Sequence, residues 1–502
     1  TILTADIAAC QPLNPFGVGS PSEAAKNYIL QNTVSAGKIT QLDINGFVGG
    51  NTGQFLNLPG GPIGFAIGGE YRRETAYYRQ YPLVEAGYTF YNSIPLFNPT
   101  SFEVKEAYGE IRLPVLKDLP FANTFEINAA GRVSNYKGSA GTTYTYNVGG
   151  DWAPIRDIRF RVNYARVVRA PNLSDLYSPQ GQNFAPGFAD PCSAVNIASG
   201  TQFRAANCAA AGIPTGGANP YNFQYSQSLE ILSGGNPGLS PETSDSYTYG
   251  VVLKPRFVPG LTISIDYYKI RVNNVITAPS AQGIANLCYD SPTGNNQFCG
   301  LFTRDNASGA VTGTPFRIIE GSLQQTVLNY AKLAVSGIDI DVAYSRKFGD
   351  VTLGAHAVYT HATQKNSYTD LTQPGFADTS LGELGAPRDA ANLTLTSDFG
   401  PVFASYEIRY LSKQSVGAIE NHETFQGREP QNLDDFTTPF YPDVVYMNAR
   451  LGFNVKGGSN FYLGVDNLTN QAPPLGSTGI GAGSGIFEPI GRRFYAGFTA
   501  KF

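Results

Sequence analysis

The sequence is short of charge, of methionine and tryptophan, and of long apolar runs. Asp, Glu, Lys and Arg make up 15% of its 502 residues, where a soluble globular chain averages about 25%. There is one Met (Met447) and one Trp (Trp152). No apolar stretch approaches the ~18 residues of a spanning helix, which excludes a helical membrane protein. The formal charge of −4 supplies no basic footprint for nucleic acid. A hydrophobic share of 42% argues against intrinsic disorder. CxxC spacing, GxSxG and HExxH are all missing, and His356, His361 and His422 stand far from the cysteines. Zinc sites and the common hydrolase sites therefore lack their residues. No cofactor, metal site or catalytic residue is expected.

What the chain has in excess is turn formers and aromatics, with 56 Gly, 33 Pro, 30 Tyr and 31 Phe. Five cysteines (Cys10, Cys192, Cys208, Cys288, Cys299) fall in segments read as loops. Cys192 with Cys208, and Cys288 with Cys299, are natural local disulfides, which implies an oxidising compartment. Cys10 is left over, either as a free thiol or as a bridge to a residue outside this chain. The chain opens on Thr1 without a signal-peptide pattern and its one Met is internal, so an upstream segment is expected to have been removed.

Many segments alternate with period two, the mark of strands with one polar and one apolar face. In 64–78, Glu70, Arg72 and Glu74 oppose Phe65, Ile67 and Tyr71. In 103–113, Glu106, Tyr108, Glu110 and Arg112 oppose Ala107, Gly109, Ile111 and Leu113. Glu126, Asn128 and Arg132 oppose Phe125, Ile127 and Val133, and Arg159, Arg161 and Asn163 oppose Phe160, Val162 and Tyr164. Segments 261–272 and 337–346 repeat the pattern, the latter with Asp339 and Asp341 against Ile338 and Ile340. About fifteen strands can be counted in this way.

A soluble sandwich would alternate too, so the links decide. Short ones with turn chemistry (153–157, 255–260, 347–350, 400–401, 454–459) alternate with long ones (170–241, 273–325, 366–387, 413–439, 468–491). Loops of that length count against a compact soluble domain. They are expected of a transmembrane antiparallel β-barrel with short periplasmic turns and long extracellular loops. Low charge follows, since a cation on the lipid face at mid-bilayer costs about 2–4 kcal/mol. Phe494, Ala496, Phe498, Ala500 and Phe502 alternate with Arg493, Tyr495, Thr499 and Lys501, which predicts a closing strand that ends the chain. Counting back, the first strand (about 39–49) runs inward and 1–38 belongs to an extracellular loop, with a short helix over 22–32 capped by Ser22.

At several points the residues resemble a TonB-dependent outer-membrane receptor of the alphaproteobacterial, sphingomonad-like type. The motifs are NYARVVRAPNLSDLY at 163–177, GNPGLSPETS at 235–244, VDNLTN at 465–470 and the terminal Phe502. CQPLNPF at 10–16, PGGPIGF at 59–65 and 326–340 extend the likeness over essentially the whole chain. The resemblance implies a barrel of about 22 strands preceded by a plug. Residues 39–502 would then be the C-terminal part of the barrel, with the plug and first strands absent. It also implies active uptake of a scarce ligand (siderophore, vitamin, oligosaccharide or other organic nutrient), driven by TonB with ExbB and ExbD. Further implied partners are the plug-bearing N-terminal fragment, tethered through Cys10, the lipid and lipopolysaccharide of a Gram-negative outer membrane, and accessory surface or periplasmic binding proteins. A passive porin and, more remotely, a barrel hydrolase are the alternatives.

Candidate sites divide between loops and lumen. Aromatics of the long loops (Tyr177, Phe184, Phe188, Tyr221, Phe223, Tyr225, Tyr289, Phe298, Phe302) and of an earlier loop (Tyr88, Phe90, Tyr91) are candidate ligand contacts or loop packing. Glu70, Arg72, Glu74, Glu106, Glu110, Arg112, Glu126, Arg132, Arg159 and Arg161 face the lumen and are expected to pair with one another and with a plug. Pro171 should stop a strand, while Asn172 and Asp175 satisfy loop backbone. His361 and His422 lie near loop ends, where metal contact is conceivable. Asp434 and Asp435 are read as adjacent, solvated loop residues. The GxGxG run in 479–485 has no following helix and is not a phosphate cradle.

Overall fold

The computed structural model describes residues 2–89, 92–455, 458–477 and 485–500. Fifteen strands cross one sheet in chain order. They are β1 (Ala36–Asn51), β2 (Gly64–Arg79), β3 (Phe102–Leu119), β4 (Ala122–Tyr136), β5 (Thr142–Ile155), β6 (Ile158–Arg169), β7 (Glu242–Leu253) and β8 (Leu261–Thr277). Then come β9 (Leu328–Phe348), β10 (Val351–Tyr368), β11 (Asp389–Phe399), β12 (Val402–Leu411), β13 (Val444–Val455), β14 (Ser459–Asp466) and β15 (Arg493–Thr499). Every neighbouring pair is antiparallel, and the two-residue piece Asp378–Thr379 adds to β10.

The period-two pattern is what makes these strands, and tight turns reverse them at one end. Links 120–121, 156–157, 254–260, 349–350 and 400–401 lie there. Gly349 (φ +60°) and Gly400 (φ +57°) take the left-handed conformation that a two-residue reversal needs. At the other end lie 80–101, 170–241, 278–327, 369–388 and 412–443. Link 137–141 is the exception, a short connection at the long-loop end.

Register carries the two faces across the sheet. Glu70 pairs with Glu106, Glu106 with Ser134, and Tyr108 with Arg132. Arg161 pairs with Asp151 and Gly250, and Gly250 with Asp266. All of these lie on the polar face. The opposite face is graded along β6–β9. A row of Phe160, Val251, Ile265 and Ile340 gives way to Val162, Tyr249, Tyr267 and Ile338. Toward the long-loop end come Tyr164, Tyr247, Lys269 and Ser336, then Arg166, Asp245, Arg271 and Ala334.

On the polar face, aromatic rings lie over the glycine directly opposite. Tyr108 covers Gly68, Tyr268 Gly337, Phe403 Gly452, Tyr462 Gly497 and Tyr495 Gly464. A Cβ at Gly464 would come within 2.2 Å of the Tyr495 ring, so the ring occupies the space that the glycine leaves.

Three features depart from expectation. Among the described residues β1 and β15 each pair on one side only, so the sheet is open with two edges rather than a closed cylinder. A helix, Ile2–Ala9, precedes the expected one, which spans Glu23–Ile29 with Ser22 Oγ accepting from Ala25 N at 3.1 Å. Third, the large apolar core lies in the loops and not in the sheet. A single-layer wall has no second layer to bury against. Lys501, Phe502 and most of the 479–485 glycine run lie outside the described residues.

Candidate functional site

Charges on the polar face are matched within the wall. Arg132 Nη1 donates to Glu106 at 2.8 Å and to Glu70 at 3.2 Å, and its guanidinium sits 4.7 Å from the Tyr108 ring centroid. Arg72 lies between Glu70 (3.6 Å) and Glu74 (3.4 Å). Arg112 Nε donates to Glu126 at 3.0 Å, and Arg161 Nε donates to Asp266 at 2.7 Å. Glu110 and Arg159 occupy the same face by register. The result is a mixed-sign, hydrogen-bonding wall suited to a hydrated interior.

The entrance to the longest loop is fastened at its base. Pro171 follows the end of β6, and Asn172 and Asp175 form a capping box on the helix Leu173–Tyr177. Arg169 Nε donates to Glu242 at 2.7 Å and Arg169 Nη1 to Asp175 at 3.1 Å, which joins the two strands that bracket the loop. Arg169 and Glu242 stand inside the two quoted motifs, but nothing in their spacing foretold the pairing.

The two longest loops form one folded unit. Leu229–Gly234 pairs antiparallel with Gly181–Ala185 and parallel with Leu323–Thr326, so the three strands come from both loops. Helices Arg204–Ala210 and Ala281–Asp290 pack beside them. The disulfides Cys192–Cys208 and Cys288–Cys299 are both formed, and Cys10 is exposed and unpaired. Two ion pairs cross between the loops. Arg204 Nε donates to Asp290 at 2.6 Å, and Arg304 grips both oxygens of Asp190 at 2.7 Å. Tyr221 donates its hydroxyl to Asp190 at 2.8 Å, and Arg304 Nε donates to the Tyr289 hydroxyl at 2.7 Å. Burial, and then the adjacent Asp190, raises the Tyr221 pKa. For Arg304 burial alone would lower it, but the Asp190 contact prevails and holds the guanidinium charged. These four charged residues escaped sequence reading because isolated Asp and Arg in loops look solvated.

That unit uses many of the aromatics proposed as ligand contacts. Phe188, Tyr221, Tyr289, Phe298 and Phe302 are buried in its core, and Phe223 and Tyr225 pack against it. A ligand would reach the buried five only if the unit opened. Tyr177 ends the capped helix, Phe184 is 42% exposed on the loop sheet and Tyr88 is 80% exposed. Phe90 and Tyr91 lie outside the described residues.

A second loop group closes over β10–β13. His422 Nε2 lies 3.0 Å from Asp435, whose side chain is nearly buried, which corrects the expectation of a solvated Asp435. His361 Nδ1 meets Asp389 at 2.7 Å. Among the described residues no three His, Cys, Asp or Glu converge as metal ligands. A recess of about 460 Å³ lined by Thr363, Asn366, Thr379, Arg388 and Glu423 offers hydroxyl and amide groups to a polar solute.

Glu383, which accepts from Ile419 N at 3.1 Å, has its pKa raised by burial, with Glu420 and Asp378 adding to the rise. Such a carboxyl binds its proton more tightly folded than unfolded. Its stabilisation is complete below the unfolded value of about 4.3 and fades as pH rises through the folded value. Backbone hydrogen exchange at 378–388 and 414–421, corrected for intrinsic rates, should therefore be slower at pH 5 than at pH 7. Glu383→Gln should hold the slow rate at both, and a pH difference that survives this variant would assign it to another group.

Comparison with known proteins follows this geometry. Residues 13–468 match the family model described as TonB dependent receptor-like, beta-barrel. Among solved structures, the siderophore receptor PirA of Acinetobacter baumannii is similar at 14% identity, covering 92% of this chain and 54% of that one with a TM-score of 0.56. The ferric enterobactin receptor PfeA of Pseudomonas aeruginosa, in complex with BCV-L6, is similar at 14% identity, covering 93% and 55%, with a TM-score of 0.58. At that identity the likeness shows a shared fold, and the chain spans about half the length of these receptors. No curated protein matches the chain.

Proposed function

Because the chain belongs to the TonB-dependent receptor β-barrel family, a family of receptors and not of enzymes, we propose that it forms most of the wall and the largest surface loops of an outer-membrane uptake receptor. The family match over residues 13–468 carries this proposal. The mixed-sign polar face and the folded loop unit at one end support it. In this proposal the polar face lines a lumen, the graded apolar face meets lipid, and the long-loop end is extracellular. Further strands of the same receptor pair onto the β1 and β15 edges, since unpaired backbone N–H and C=O groups in hydrocarbon each cost several kcal/mol. A plug segment meets the charges around Arg132, and TonB with ExbB and ExbD supplies the force that displaces it.

The ligand is one too scarce or too large for passive pores, with siderophores the first class to test. Exposed Tyr88 and Phe184 are the proposed first contacts, and the buried aromatics hold the loops in shape. The experiment is uptake of radiolabelled ferric siderophores, cobalamin and oligosaccharides by cells that make the intact receptor, with and without functional TonB. Uptake that is saturable and falls at least tenfold without TonB is expected. Uptake indifferent to TonB, or steady ion conductance of the intact receptor in planar bilayers, would point to a passive channel.

A further inference from the structure

The apolar face of β6–β8 ends, on its long-loop side, in a cluster of cations that the polar face does not share. Arg166, Lys269 and Arg271 surround one carboxylate, Asp245, on adjacent strands. Asp245 is already engaged, accepting from the Tyr164 hydroxyl at 2.8 Å with Arg166 Nη1 at 3.8 Å. Among the described residues Lys269 and Arg271 have no ion-pair or hydrogen-bond partner, although they share one face two residues apart. Asp245, Tyr247, Tyr249, Lys269 and Arg271 line a recess of about 230 Å³. One step toward the short-turn end, about 7 Å along the strand, tyrosines take over, and beyond them the face is aliphatic.

From this gradient we infer that Lys269, Arg271 and Arg166 form a binding site for the anionic headgroup of an outer-leaflet lipid. The inference rests on the outer-membrane placement proposed above. Two unneutralised cations side by side repel, and an anionic oxygen cluster between them relieves that repulsion. A solute passing through the lumen would meet the other face of the sheet. A lipid is the anion carrier that this face meets, because its acyl chains can lie along Tyr249, Tyr267 and Ile265 while its headgroup reaches the cations. Arg offers a planar fork to such oxygens and Lys a point charge.

The test uses the intact receptor, recovered from fractionated membranes and titrated in detergent with bisphosphorylated lipid A and with the same lipid dephosphorylated, read by native mass spectrometry. The phosphorylated form should bind at least tenfold more tightly. Lys269→Gln with Arg271→Gln should weaken it about thirtyfold, since each cation beside an anionic lipid surface counts for about a factor of five. Asp245→Asn should tighten it several-fold. Unchanged heat-modifiable migration on unboiled gels would show that the variants still fold. Equal binding of the two lipids, or an unchanged constant in the double variant, would overturn the site. So would displacement of the lipid by millimolar inorganic phosphate alone, which would mark a generic anion site. A receptor absent from the outer-membrane fraction would overturn both the site and the placement on which it rests.

Discussion

Replacing Arg304 with Met should release the loop unit while leaving the sheet in place. Asp190 is fully buried, and its two oxygens take both guanidinium bonds, the Tyr221 hydroxyl and the Cys192 amide. Removing the cation leaves a buried carboxylate without its counter-charge, a change that costs about 3–5 kcal/mol. It also removes the donor to Tyr289 and the cation that packs 5.8 Å from the Phe302 ring. The unit has only its own core to resist with, so local opening is the expected consequence. Hydrogen exchange should accelerate across 181–234 and 281–326 and stay unchanged in β9–β12, and ligand uptake should fall. Pairing Arg304→Met with Asp190→Leu should recover much of the protection, because a matched apolar pair buries no unpaired charge. Unchanged exchange in the single variant would mean that the ion pair does not hold the loops.

Removing both disulfides should have an effect of similar size by a different physical route. Cys192–Cys208 and Cys288–Cys299 close loops with sequence separations of 16 and 11. Chain entropy assigns about 3 kcal/mol to a crosslink of that span, chiefly by restricting the open state. The bridges share one core, so their losses will not simply add. With all four cysteines changed to Ala, trypsin should cut the intact receptor within 170–241 and 278–327 at concentrations that leave the parent whole. Each single-pair variant should fall between. Equal resistance of the four-cysteine variant would show that the ion pairs and the apolar core suffice. Replacement of Cys10 should leave the loops unaffected, since it lies outside the unit.

The two effects bear on function through the same geometry. Loops that present Phe184 and Tyr88 at a fixed place must themselves be rigid. Here the rigidity comes from crosslinks and buried ion pairs, which a loop cluster needs when it cannot borrow a core from the single-layer wall beneath it.

Legibility varied with the range of the interaction. Glu70, Arg72, Glu106, Arg132 and Arg161 could be placed on one face because a strand's side chains alternate whatever surrounds them. Cys192 with Cys208 and Cys288 with Cys299 were readable because each pair lies close along the chain. The capping box at Asn172 and Asp175 was readable as loop chemistry for the same reason. Phe188, Tyr221, Tyr289, Phe298 and Phe302 were not, because an aromatic in a loop can pack or contact a ligand and its own neighbours do not say which. Asp435 looked solvated beside Asp434 until His422 was found against it.

By itself, then, the sequence determined the strand faces, the alternation of short and long links and the local disulfides. All of these follow from the stereochemistry of a few consecutive residues. Tertiary structure alone decided that two loops share one core, that Arg304 meets Asp190 across 114 residues and that Lys269 and Arg271 stand beside Arg166 at the edge of an apolar face. Such encounters depend on register and on chain reversal over long distances, which no local period encodes.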